Sequence, residues 1–221
     1  MTTLLNQYPI QIIEDDIPLA QSLQVLLSAS NFTCVHYKSA EDFLASVQVN
    51  PEALRLPTCV ISDIRLPKLS GLDIFEKLKH EYPQCVWSVI FITGHADVNM
   101  AVEAMQKGAF DFLTKPFDPF LLPQKIKAAL KKSSQLLDEQ NFVRSYEARK
   151  ATLTEHEQRI CSLILQNLTS REIAENLGNS TRTIEVHRAS VFRKMEVDSI
   201  LALAQQDERY KLLSNRLSTP S

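Results

Sequence analysis

Six side chains in this sequence could together do chemistry: Glu14, Asp15, Asp16, Asp63, Thr93 and Lys115. Carboxylates gathered in one place are costly unless a cation offsets them, and hard oxygen donors suit Mg²⁺. That ion keeps several waters and takes few carboxylates, so Asp15 and Asp63 fit direct ligation, with Glu14 acting through a water. A carboxylate beside such an ion can also attack phosphorus and carry it as an aspartyl-phosphate. Lys115 and the cation would offset the charge on the transferred oxygens, and the Thr93 hydroxyl could hydrogen-bond the product phosphate. Singly, a strand-end Asp or Thr is more often a cap. The inference depends on all of them meeting.

A parallel sheet would make them meet. Short apolar runs, Ile10–Ile13, Thr33–Tyr37, Cys59–Ser62, Val86–Thr93 and Ala109–Thr114, alternate with segments whose apolar residues recur three and four apart. Examples of the latter are Leu19, Leu23, Leu26, Leu27, then Leu72, Phe75, Leu78, then Val98, Val102, Met105. Five switches of period predict a five-stranded β/α alternation. Buried parallel strands read as unbroken apolar runs, and right-handed crossovers make a doubly wound sheet the natural solution. In such sheets function collects at the carboxyl ends of the strands. Strand one ends in Glu14–Asp16, strand three in Asp63, strand four in Thr93 and strand five in Lys115.

Charge divides the chain. Residues 1–120 hold 8 Lys/Arg against 14 Asp/Glu, residues 121–150 hold 7 against 3, and residues 151–221 hold 9 of each. An acidic front and a neutral-to-basic rear suggest two domains with different partners. No run approaches the roughly 18 apolar residues of a membrane span, and no secretion signal opens the sequence. The 4 cysteines lie far apart with no C-x-x-C pair, which argues against a zinc knuckle and for reduced thiols in a cytoplasm.

Beyond Phe117 the pattern is helical. Lys125–Leu137 is amphipathic, and Asp138–Ala151 is polar and reads as a helical linker, with a solvated tether as the alternative. Thr154-x-x-Glu157 and Thr169-x-x-Glu172 are capping boxes, Gly178 would end the second short helix in a left-handed cap, and Ser180 or Thr181 would cap a helix running to Met195. Two helices joined by a short turn containing Gly fit a helix-turn-helix. Residues 182–194 carry 4 basic groups and 1 Glu, which alone describes a solvated face as well as a nucleic-acid contact. A last helix is expected over Ser199–Gln205 and a frayed tail over Ser214–Ser221.

The segments I-I-E-D-D (12–16), S-D-I-R-L-P-K-L-S-G-L-D (62–73), F-I-T-G-H-A-D-V (91–98) and G-A-F-D-F-L-T-K-P-F (108–117) resemble bacterial response-regulator receiver domains, over residues 8–130. The resemblance implies a flavodoxin-like receiver with Asp63 as phosphoacceptor. It implies Mg²⁺ held by Glu14, Asp15, Asp63 and the Arg65 carbonyl, a switch made of Thr93 and Lys115, Phe112 as the rotating aromatic, and a cis Lys115–Pro116 bond. Phe112 reads equally well as a core residue. Glu14 stands where an Asp is commoner, and Asp16 leaves open which two carboxylates face the metal. The stretch Asn50–Pro57 is longer than a minimal receiver needs.

L-T-E-H-E (153–157), S-R-E-I-A-E-N-L-G (170–178), S-T-R-T-I-E-V-H-R (180–188) and F-R-K-M (192–195) resemble the LuxR-type helix-turn-helix of the NarL/FixJ branch of regulators. It implies that the 181–195 helix enters a major groove of double-stranded promoter DNA. Phosphate contacts would come from Arg182, Thr183, His187, Arg193 and Lys194; base readout would come from Glu185, Val186, Arg188 and Ala189. Glu185 pairing with Arg182 or Arg188, and His187 packing in the core, are equal alternatives. Ile200, Leu203 or Ala204 would form a dimer contact.

The expected organisation is a receiver at 1–130, a linker at 131–150, a small all-α four-helix LuxR-type domain at 151–210 and a tail at 211–221. The expected function is a cytoplasmic, phosphorylation-controlled transcriptional regulator of a two-component system. Its partners would be a sensor histidine kinase and, once phosphorylated, a second copy of itself, with no membrane. It would catalyse only its own phosphotransfer and dephosphorylation. A hydrolase working through an aspartyl-phosphate would place a second Asp where Arg65 stands, and an output that binds RNA or protein would not need the LuxR-type signature.

Overall fold

A computed structural model describes residues 8–94 and 98–218. The chain divides after Leu137 into two compact units. The first holds five strands, β1 (Ile10–Ile13), β2 (Cys34–Tyr37), β3 (Thr58–Asp63), β4 (Trp87–Thr93) and β5 (Asp111–Thr114), in the order β2-β1-β3-β4-β5. Every pairing is parallel, as continuous apolar strands require.

Alternation along the strands sorts the core into two layers. Ile12, Ile61, Ile90, Ile92 and Leu113 point to α1 (Ile17–Ala29) and the first half of α5 (Leu121–Ala151). Ile13, Val60, Val89, Phe91 and Phe112 point the other way. That face is covered by α2 (Ala40–Val49), α3 (Gly71–Glu81) and α4 (Val98–Gln106). Phe112 is half-buried on β5 against this second layer. The long stretch before β3 is a 3-10 helix over Pro51–Arg55 whose Leu54 is buried. On α4, Val102 and Met105 are exposed and Ala104 is buried. His95–Asp97 of the receiver motif lie outside the described residues.

The second unit contains α6 (Glu155–Leu165), α7 (Ser170–Leu177), α8 (Thr181–Met195) and α9 (Ile200–Ser218). Both capping boxes close as expected, Ser180 caps α8, and Gly178 is left-handed at φ 66. Two expectations need correction. The stretch 131–150 is helical throughout, but from Asp138 it is a packed part of the second unit rather than a solvated connection. The last helix does not stop at Gln205, and 211–218 is helix, not tail. Aromatic packing accounts for both. Tyr146 on α5 is buried, stacks on Tyr210 of α9 with ring centroids 4.5 Å apart, and donates to Asp207 at 2.7 Å. The Arg209 guanidinium lies 4.1 Å from the centre of the Phe142 ring, a cation–π contact. Leu203, expected to be exposed, is fully buried, whereas Ile200 and Leu201 are exposed.

Candidate functional site

The sheet brings the carboxyl ends of β1, β3 and β5 to one point. The Lys115 ammonium donates to Asp63 Oδ2 at 2.5 Å and to Glu14 Oε2 at 3.0 Å. Glu14 is almost fully buried, and this burial pushes its carboxyl above the usual range; Lys115 works against that shift. Burial also disfavours the Lys115 charge, but the hydrogen bonds to Asp63 and Glu14 outweigh it and raise the ammonium's pKa. Thr93 is the fully buried last residue of β4, and its carbonyl accepts from the Lys115 amide at 2.7 Å, which fixes the start of the loop after β5. The Lys115–Pro116 bond is cis.

Asp63 is held from behind. Its Oδ1 accepts from the Arg65 amide at 2.8 Å. Gly71 opens α3 directly against it. A Cβ at Gly71 would overlap the Asp63 carbonyl oxygen and lie 2.7 Å from Ser62 Oγ. Only glycine lets the helix approach this closely. The capping box of Ser70 and Asp73 starts the helix there.

Among the three consecutive acids, Asp16 accepts from the Leu19 amide at 3.1 Å as the N-cap of α1, while its own amide donates to Glu14 Oε1 at 3.3 Å. Asp15 is exposed. Of the three, Glu14 is the one that also meets Lys115, and Asp16 is the one engaged as a helix cap. No group of three or more His, Cys, Asp or Glu side chains among the described residues forms a ready-made metal shell. The donor set fits Mg²⁺ by its chemistry, since two carboxylates share one ammonium and Mg²⁺ completes its shell with waters. His36, which carries no motif signal, donates from Nε2 to the Glu14 carbonyl at 2.8 Å. The thiols of Cys59, Cys85 and Cys161 are buried, and all four cysteines are unbridged.

In the second unit α8 presents Arg182, Thr183, Glu185, Val186, Ala189 and Arg193 to solvent, and Ile184, Val191 and Met195 to the core. The other three expected contact residues are engaged internally. The His187 ring meets His156 edge-on at 4.7 Å, and Arg188 donates to the Leu168 carbonyl at 3.4 Å. Lys194, expected to contact phosphate, here donates to Glu157 Oε2 at 2.5 Å and to the Thr152 carbonyl at 3.1 Å. Glu157 is buried and also accepts from Ser190 and the Thr154 amide. Lys194, together with these donors, holds its carboxyl down to about 2. A buried carboxylate needs its counter-charge, and Lys194 supplies it.

A protein-family model described as the response regulator receiver domain matches residues 10–127, and one described as bacterial regulatory proteins, luxR family, matches residues 151–206. The transcriptional regulatory protein FixJ of Bradyrhizobium diazoefficiens is 32% identical over 206 residues, covering 93% of this chain and 97% of FixJ. The response regulator protein TodT of Pseudomonas putida is 36% identical over 202 residues, covering 91% of this chain and 86% of TodT. The solved structure of the response regulator StyR superposes with a TM-score of 0.78 at 29% identity, over 92% of this chain and 100% of that one.

Proposed function

The chain belongs to the response regulators that join a receiver domain to a LuxR-type DNA-binding domain, and from that premise we propose that Asp63 receives the phosphoryl group and α8 reads the DNA. As a member of that family it is a phosphorylation-dependent transcriptional regulator of a two-component system, with a sensor kinase before it and DNA after it. It is a DNA-binding regulator and not a classical enzyme.

The meeting of Lys115 with Asp63 and Glu14 supports the phosphoacceptor assignment above all else. An Asp63 carboxylate oxygen attacks phosphorus on the kinase phosphohistidine; the new O–P bond forms as the N–P bond breaks, and the departing imidazole takes up a proton. Bound by Glu14, Asp15, Asp63 and the Arg65 carbonyl, Mg²⁺ would supply charge compensation for the phosphoryl oxygens. Lys115 shifts its hydrogen bond from the Asp63 carboxylate to a phosphoryl oxygen, and the Thr93 hydroxyl donates to another. Hydrolysis of the acyl phosphate by water, in the same site, resets the protein.

Thr93 is the last residue of β4 and Phe112 lies in the neighbouring strand, so inward movement of Thr93 lets Phe112 follow. This repacks the face bearing α4, β5 and the start of α5. Val102, Met105, Phe120 and Leu121 are already exposed there, which supports a symmetric dimer of phosphorylated chains on this surface. Two α8 helices then meet an inverted repeat. Arg182, Thr183 and Arg193 contact phosphates, while Glu185, Val186 and Ala189 face base edges; His187 and Arg188 reach the DNA from the border of the core. We place the protein in the cytoplasm, with the DNA; no helix among the described residues is long and apolar enough to cross a membrane. Gel-shift titration tests the reading: phosphorylated wild type binds an inverted-repeat promoter more tightly than the unphosphorylated form, and Asp63→Asn shows no response to the phosphodonor. A mutant that responds as wild type does would refute it.

A further inference from the structure

The peptide group between Glu14 and Asp15 sets how these two carboxylates are aimed, and its carbonyl lies just past the end of the strand ladder. The last rung between β1 and β2 pairs Ile13 with Tyr37, and the Glu14 amide donates to the Tyr37 carbonyl at 3.2 Å. β2 ends at Tyr37, so the ladder adds no further rung at the Glu14 carbonyl, and a carbonyl shielded from water without a donor is destabilising. The His36 ring meets it at 2.8 Å. A carbonyl oxygen only accepts, so His36 Nε2 carries the proton in this bond. Glu14 is thereby held at all four of its polar groups: its amide by Tyr37, its carbonyl by His36, Oε1 by the Asp16 amide and Oε2 by Lys115.

We propose that His36 is a positioning residue for the divalent-cation site: by donating to the Glu14 carbonyl it fixes the Glu14–Asp15 peptide, and with it the relative aim of the two carboxylates. This rests on the assignment of Glu14 and Asp15 to Mg²⁺ made above. The mechanism is that of an outer-shell hydrogen bond that orients a ligand without touching the ion, and loss of such bonds typically weakens metal binding on the order of tenfold or more. A residue that served only to join β1 to β2 would lower stability without altering cation affinity.

The test is direct binding of Mn²⁺ to the full-length, unphosphorylated protein, read from the electron paramagnetic resonance signal of the free ion, with metal-free thermal unfolding measured alongside. The variants are His36→Phe, which keeps a ring but removes the donor, and His36→Gln, whose amide N–H reaches to a similar place. The proposal expects His36→Phe to bind Mn²⁺ at least threefold more weakly and His36→Gln to stay within twofold of wild type. It is overturned if His36→Phe binds like wild type, or if His36→Gln loses as much as His36→Phe. If the Phe variant does not fold, the Gln variant decides: binding within twofold supports the donor role and a threefold loss overturns it. Wild type that binds no Mn²⁺ overturns the cation assignment itself, and the inference with it.

Discussion

The Lys115 ammonium lies 2.5 Å from the Asp63 carboxylate, joining the end of β5 to the end of β3 across β4. The same ammonium reaches Glu14, so one positive charge serves two carboxylates. Removing it in Lys115→Ala leaves Glu14 buried without its partner and raises its carboxyl pKa further. A carboxyl whose folded pKa is raised binds its proton more readily in the folded state, so its ionisation costs stability as pH rises. Urea unfolding at pH 7 should therefore show a loss of about 2 kcal/mol that shrinks at pH 5. A loss independent of pH would mean that Glu14 does not depend on Lys115.

Gly71 should tolerate no side chain. In Gly71→Ala the new methyl would overlap the Asp63 carbonyl oxygen, so the start of α3 must withdraw from β3. Denaturant melts should show a cost of about 2 kcal/mol, and phosphate uptake at Asp63 should slow with it. Wild-type stability in the alanine variant would contradict the packing described.

Glu157 gives the second unit a distinct acid sensitivity. Its folded carboxyl lies near 2, below its unfolded value, so its stabilisation is complete above the ordinary carboxylate range and fades as pH falls toward 2. Glu157→Gln should destabilise this unit on the order of 2 kcal/mol at pH 7, with the gap from wild type narrowing between about pH 4.5 and 2. Circular dichroism melts across that range would show a constant gap if the Lys194 pairing contributed nothing.

Arg193 and Lys194 are adjacent on α8 but should behave differently on DNA. Arg193 is exposed, whereas Lys194 is bonded to Glu157 and Thr152. Arg193→Ala should reduce the slope of log affinity against log salt by about 0.9, the mark of one lost phosphate contact. Lys194→Ala should leave that slope unchanged and lower the melting temperature. The reverse pattern would return Lys194 to the phosphate contacts.

Local signals account for most of what the sequence revealed. The residues at the strand ends were legible because a parallel strand reads as an apolar run whose last position faces the crevice. The caps at Thr154, Thr169, Ser180 and Gly178 were legible because each lies within a few residues of the groups it satisfies. Long-range partners were not. Nothing near Lys194 announces Glu157, 37 residues away, and nothing near His36 announces the Glu14 carbonyl, 22 residues away. The residues after Gln205 look like a polar tail because their inward side is carried by Asp207 and Tyr210. Their partners Tyr146 and Glu147 lie more than 60 positions earlier. Cross-chain hydrogen bonds of polar side chains leave no periodic trace in hydropathy.

Intact-mass spectrometry after incubation with acetyl phosphate and Mg²⁺ decides whether Asp63 is the phosphoacceptor. Wild type should carry one phosphoryl adduct, absent from Asp63→Asn and absent from wild type without Mg²⁺. An adduct of equal yield on Asp63→Asn would place the phosphoryl group elsewhere and contradict the assignment of this site.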